Sequence, residues 1–204
     1  DRDWSSDVCS SDLPALFNLG YIVIDACLCP VECDRKTWDS QAPYFSPKHG
    51  CHGLKYELGV HWHTGRIVWL AGGVVGSMHD LTIARNSGIL TFLQSVGEYG
   101  FADKGYIGEP VLLCPFKGRS LDLWPPERSW NELLNPHRTI VENTLARVTK
   151  FGILQKKYRG ALCQHPHIFR LCASIAQLDI MDRPLRRDAL EAPERHWWFA
   201  DDEE

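Results

Sequence analysis

Residues 55–75 constrain the fold most. Tyr56, Leu58, Val60 and Trp62 alternate with Glu57, Gly59, His61 and His63, the two-residue period of a strand with one apolar and one polar face. Thr64-Gly65 supplies a turn, and RIVWLAGGVV at 66–75 returns as a second, more buried strand. A hairpin of this kind commits the chain to a sheet, whose remaining strands must lie on either side in sequence.

Upstream, Gly20 is followed by Tyr21, Ile22, Val23 and Ile24, an apolar, β-branched run suited to a strand buried on both faces, and it stops on Asp25. A carboxylate there is costly unless it faces a site or caps the following loop. Residues 34–47, with Pro43 and Pro47, read as a loop. Downstream, 76–81 turn the chain into a helix through Arg85, capped by Ser77 or Asp80, and a second helix follows near 89–95. Residues 99–103 form a short strand that again stops on an acid, Asp103, beside Lys104 and a Gly-rich turn. VLLCP at 111–115 is a further apolar run, and 116–135, rich in Pro, Trp and charge, read as a surface insertion.

The next helix is expected over 136–152, with Pro136 suited to its start and Gly152 to its end. Val141, Leu145 and Val148 form its apolar stripe, and Glu142 falls at the edge of that face, on the side of Arg138, Ala146 and Thr149. The surroundings are basic: Arg138, Arg147, Lys150, Lys156, Lys157 and Arg159 against Glu132 and Glu142. Glu142 is therefore either an ion-pair partner for Arg138 one turn earlier or a ligand for a cation.

Strands at both ends of a hairpin, then alternating helices and strands, fit an α/β fold with a mixed sheet flanked by helices. Adjacent strands ending in Asp25 and Asp103 would bring those acids together, and a helix across that edge could deliver Glu142. Three clustered carboxylates repel one another and stay ionised only around a cation, so the arrangement calls for divalent metal. Oxygen-only ligands select Mg²⁺ or Mn²⁺. A competing metal site would use Cys27, Cys29 and Cys33, with Cys51 and His52, or the pair His61 and His63. The C-x2-C spacing of zinc knuckles is absent, and eight scattered cysteines are more often reduced core or loop residues.

Charge divides along the chain. The net charge of −4 divides into −3 at the start (Asp1, Asp3, Asp7 and Asp12 against Arg2), −4 at the end (Asp201, Asp202, Glu203 and Glu204) and +3 between them. The body between is mildly basic, which permits a polyanionic partner. No apolar run approaches the roughly 20 residues of a membrane helix, and no signal peptide is visible, so a protein that is not secreted is expected. DRDWSSDVCSSDL at 1–13 resembles translated sequencing-adapter read-through and is set apart from a domain over 14–182 and a polar, acidic tail over 183–204.

IVIDAC, KHGCHGLKYELGV, GRIVWLAGGVVGSMHDLTIAR, FADKGYIG and HRTIVENTLARVTKFGIL, in this order, resemble the DDE-type transposases of the Harbinger family, and the likeness spans most of 21–182. The resemblance implies a ribonuclease H-like fold and an endonuclease that cuts and rejoins DNA phosphodiesters. By position, Asp25, Asp103 and Glu142 would be its catalytic, metal-binding acids around two Mg²⁺ or Mn²⁺ ions, and His79-Asp80 its supporting His-Asp pair. Lys48, Lys104, Arg138, Lys150, Lys156 and Lys157 are the candidates for DNA phosphate contacts. In the loop after the first acid this chain has only Lys48, His49 and His52, fewer basic residues than the family carries there. Partners so implied are transposon-end and target DNA, a separate DNA-binding protein and a second copy of the chain. The implied location is the nucleus in a eukaryote and the cytoplasm otherwise. A non-cutting descendant that only binds DNA or protein, and a zinc-binding module, are the alternatives.

Overall fold

The computed structural model describes residues 20–33 and 37–186. The leader expected at 1–13 and most of the tail expected at 183–204 lie outside them. Strand β1 (Gly20–Pro30) runs between β3 (Cys51–His61), antiparallel to it, and β5 (Tyr99–Ala102), parallel to it. Strand β4 (Ile67–Val75) pairs with β3 as the second arm of the expected hairpin, and β6 (Leu112–Leu113) extends the sheet beyond β5 in parallel. The two-residue β2 (Phe45–Ser46) pairs with the start of β3, which gives the order β2-β3-β1-β5-β6 with β4 also on β3. The mixed sheet flanked by helices is the expected α/β, ribonuclease H-like arrangement.

Both faces of the sheet are covered, because apolar side chains leave both faces of β1 and β3. Val23, Tyr56, Leu58 and Val60 pack under α4 (Pro125–Thr149) and α6 (His165–Asp182). Ile22 and Ile24 face the other way, against Ala84 of α2 (Asp80–Ser87) and Ile89 and Leu93 of α3 (Ile89–Val96). This corrects the expected polar face of the hairpin: every residue from Gly53 to Val60 is buried, and Lys55 and Glu57 lie under α2 rather than in water. The glycines of β4 serve this packing. Gly72, at φ 126°, lies where a Cβ would come 2.6 Å from the Lys55 carbonyl oxygen, and the register slips there by one residue.

Helix α4 starts earlier than expected. Pro125 and Pro126 open it, and the Glu127 carboxylate accepts a hydrogen bond from the Trp124 N–H at 2.9 Å, a better start than Pro136. Its buried stripe accordingly begins at Trp130 and Leu134 and continues through His137, Val141, Leu145 and Val148. Pro136 sits inside the helix, where it lacks an N–H to donate. The expected insertion at 116–135 is thus half helix. The chain leaves α4 after Thr149, short of Gly152, which instead opens the four-residue helix α5 (Gly152–Gln155). The stretch expected to be loop over 34–47 carries a short helix, α1 (Trp38–Gln41), and β2. No helix among the described residues is long and apolar enough to cross a membrane.

Candidate functional site

Asp25 and Asp103 meet through strand register. The parallel pairing of β1 with β5 ends at Ile24 opposite Ala102, so the two acids are the next residue on each strand. Strand β1 itself does not stop at Asp25, as its apolar run suggests; it runs on to Pro30 because β3 continues to pair with it as far as Gly53. The site therefore forms where β5 ends and the chain turns away through residues 104–106.

The Asp25 carboxyl is half-buried and pushed up to about 6, chiefly by burial. The neighbouring charges of Asp103 and Asp80 push the same way, while the hydrogen bond from the Ala26 N–H (2.8 Å to Oδ1) and the Lys48 ammonium favour the charged form. Those influences place Asp103, Asp80 and Lys48 around one carboxylate.

Helix α4 delivers the third acid. With Val141, Leu145 and Val148 buried against the sheet, Glu142 and Arg138 project at its margin, one turn apart. The Arg138 guanidinium lies between two carboxylates, 3.2 Å from Asp103 Oδ1 and 3.6 Å from Glu142 Oε1. Of the two readings of Glu142, the structure shows the ion pair: it pairs with Arg138, and that pair is itself lodged against Asp103. Exposure rises outward, from 28% for the Arg138 side chain to 37% for Asp103 and 56% for Glu142. Among the described residues no three His, Cys, Asp or Glu side chains stand close enough to cage a metal ion as they lie. That holds for the cysteine cluster and the His61 and His63 pair as well. His61 Nδ1 instead accepts the Thr64 N–H at 3.2 Å within the hairpin turn.

The helix cap differs from the one expected. His79, not Ser77 or Asp80, caps α2, its Nδ1 accepting the Leu81 N–H at 3.4 Å. Asp80 is freed for a part-buried ion pair: Lys55 Nζ of β3 donates to Asp80 Oδ1 at 2.8 Å and to the Met78 carbonyl at 2.7 Å. Asp80 also leans on the Asp103 turn, since a Cβ on Gly105 would lie 3.3 Å from its Oδ2. Lys55 thus lies beside the candidate site, and the motifs above do not single it out. A charged residue between Leu54 and Tyr56 in an inward-facing strand is the signal that could have found it.

The remaining bases are spread more widely. Lys104 follows Asp103 directly, half-buried in the turn. Lys150 is 3.8 Å from Asp179 of α6, which also binds Arg147 at 3.2 Å. Lys156 and Lys157 are exposed just beyond α5, where Tyr158 bridges back to Val31.

Three carboxylates at the end of the β1–β5 pairing and the margin of α4, their charge partly met by one guanidinium, are suited to hard cations and to phosphate chemistry. Comparison with known proteins agrees. Residues 24–177 match the family described as DDE superfamily endonuclease. The chain is also 34% identical, over 157 residues, to a protein of Microchaete diplosiphon described as a probable transposase for insertion sequence element IS702. That alignment takes in 72% of this chain and 52% of the relative, so the chain spans about half the length of the relative. No solved structure matches it. With Asp25, Asp103 and three quarters of its sequence inside that family, the chain belongs to the DDE superfamily of endonucleases.

Proposed function

We propose that this chain carries the catalytic centre of a transposase that cuts DNA phosphodiester bonds and transfers the new 3′ end to target DNA. The observation that carries the reading is the meeting of Asp25 and Asp103 at the end of the β1–β5 ladder, with Glu142 tied to Asp103 through Arg138. Asp25, Asp103 and Glu142 are the residues to hold Mg²⁺ or Mn²⁺, two ions by the family's pattern. Bound there, such ions supply an activated water and charge stabilisation on the attacking and leaving oxygens. The chain's own residues do the rest. Asp25 keeps one oxygen on the Ala26 N–H, which fixes its carboxylate plane. Arg138 holds Asp103 and Glu142 in register and offsets their repulsion. Lys55 holds Asp80 at the rear of the site.

Lys48, Lys104 and Arg138 lie nearest these acids and are the proposed phosphate contacts, with Lys150, Lys156 and Lys157 further along the basic stretch. Such contacts position DNA without reading its sequence. A DNA-binding partner, a second copy of the chain, a place within the Harbinger branch, and a nuclear or cytoplasmic location belong to the same proposal.

The deciding experiment titrates the protein and its Asp103→Ala variant with Mn²⁺ and Mg²⁺ by calorimetry, and follows nicking of a DNA duplex. Binding and nicking that both vanish in the variant are expected. Metal binding without nicking in the parent protein would point to a non-cutting descendant, and no binding at all would dissolve the site. A second expectation concerns the outlying bases. Lys156→Ala/Lys157→Ala should weaken DNA binding and lower the slope of log affinity against log salt by about 2, since each phosphate left without its lysine reduces the slope by about 1. An unchanged slope would remove both lysines from the DNA path.

A further inference from the structure

Strand β3 carries a second charged side chain that the chemistry above does not use. Glu57 is 0% exposed and lies opposite Ala26 of β1, one residue along from Asp25. Its Oε1 accepts a hydrogen bond from Ser87 Oγ at 2.9 Å, at the C-terminal end of α2. Lys55, two residues earlier on the same face, grips the other end of that helix through Asp80 and the Met78 carbonyl. Two alternate residues of one strand thus clamp α2 at both ends.

A third element joins them. Tyr106, fully buried, is the last residue of the turn that begins after Asp103, and its N–H donates to the Asp103 carbonyl at 2.9 Å. The Tyr106 hydroxyl and the Trp69 indole N–H of β4 both turn toward the Glu57 carboxyl and favour its charged form, though neither closes a bond of normal geometry. Burial works against that charge and pushes the group up to about 7. A carboxyl in an apolar layer costs free energy that a leucine would not. Its presence there makes sense where the geometry it enforces matters more than the cost.

We propose that Glu57 is a positioning residue, which sets α2 and the Asp103–Tyr106 turn against β1 and so holds Asp80 and Asp103 beside Asp25. It touches neither metal nor DNA. The inference rests on the reading of Asp25 and Asp103 as the site only for its effect on metal; its effect on the turn stands without it.

Three proteins test this: the parent, Glu57→Gln, which keeps the shape and the acceptor for Ser87, and Glu57→Leu, which keeps the volume and removes the acceptor. Two quantities are read, amide hydrogen exchange at Tyr106 and Mn²⁺ affinity, each beside the melting temperature at pH 7.5. Glu57→Leu is expected to speed exchange at the Tyr106 amide about tenfold or more by loosening the turn locally. It should weaken Mn²⁺ binding about 10–100-fold, as loss of outer-shell support does, while the melting temperature holds or rises. Glu57→Gln should restore both. Normal exchange in Glu57→Leu overturns the proposal whatever the metal does, whereas faster exchange in Glu57→Leu, with a parent that binds no Mn²⁺, sinks only the assignment of the metal site. Should Glu57→Leu fail to fold, Tyr106→Phe, lacking only the hydroxyl, is expected to speed the same exchange, and no change there also overturns it.

Discussion

Asp25→Asn is expected to abolish metal-dependent nicking, by at least about a thousandfold, and to make the metal-free protein more stable at pH 7.5. The two effects share one cause. The folded carboxyl titrates near 6, above its ordinary 3.8, chiefly because burial disfavours the charge. A raised carboxyl pKa means that the folded state holds the proton more tightly than the unfolded chain. The group's full contribution is present below pH 3.8 and is lost as pH rises through 6. At pH 7.5 the ionised carboxylate therefore costs about 1–3 kcal/mol in the absence of a cation. Asparagine removes that charge and keeps an oxygen for the Ala26 N–H. Melting curves of parent and variant at pH 4 and pH 7.5, without divalent ions, check the prediction: the variant should gain at pH 7.5 and show little difference at pH 4. A variant less stable than its parent at pH 7.5 would mean that the carboxylate is held by its partners rather than strained by burial.

Phe169→Ala is expected to cost about 3–5 kcal/mol, the largest single loss of stability. Phe169 of α6 is 0% exposed and stacks face to face on Tyr56 of β3, with centroids 3.9 Å apart and rings 6° from parallel. The Tyr56 hydroxyl is in turn 2.7 Å from His165 Nδ1 at the start of the same helix. Truncation empties the point where α6 meets the sheet, and two rings that hold each other in place cannot collapse into the gap. Urea unfolding with an unchanged slope and a lower midpoint is the expected record. A loss below about 1 kcal/mol would show that the helix contributes little to the core. Nicking per folded molecule should be unaffected, because neither ring approaches Asp25 or Asp103 through any hydrogen bond or ion pair.

Much of this is legible in the chain, and the differences have physical reasons. The hairpin at 55–75, the two helices after it and the short strand before Asp103 follow from local periodicity and turn residues, and each forms where expected. The start of α4 lies upstream of its expected place because Pro136 is a good first residue taken alone, while Pro125, Pro126 and Glu127 together make a better one. The alternation of β3 reads as one wet face. Burial of that face depends on α2 and α3, which no pattern within the strand can announce.

Alternation, helical period and strand punctuation are local properties of the chain. They suffice for the α/β class, the placement of Asp103 at a strand end and the helical placement of Glu142, but not for the run of β1 past Asp25. What those acids touch is a matter of tertiary packing. Register between β1 and β5 puts Asp25 next to Asp103, the seating of α4 lodges Arg138 between Asp103 and Glu142, and the closure of α2 over β3 turns Lys55 and Glu57 into inward braces. Contacts between residues far apart in sequence depend on how whole elements dock, and docking is driven by apolar area that carries no record of which polar groups it will bring together.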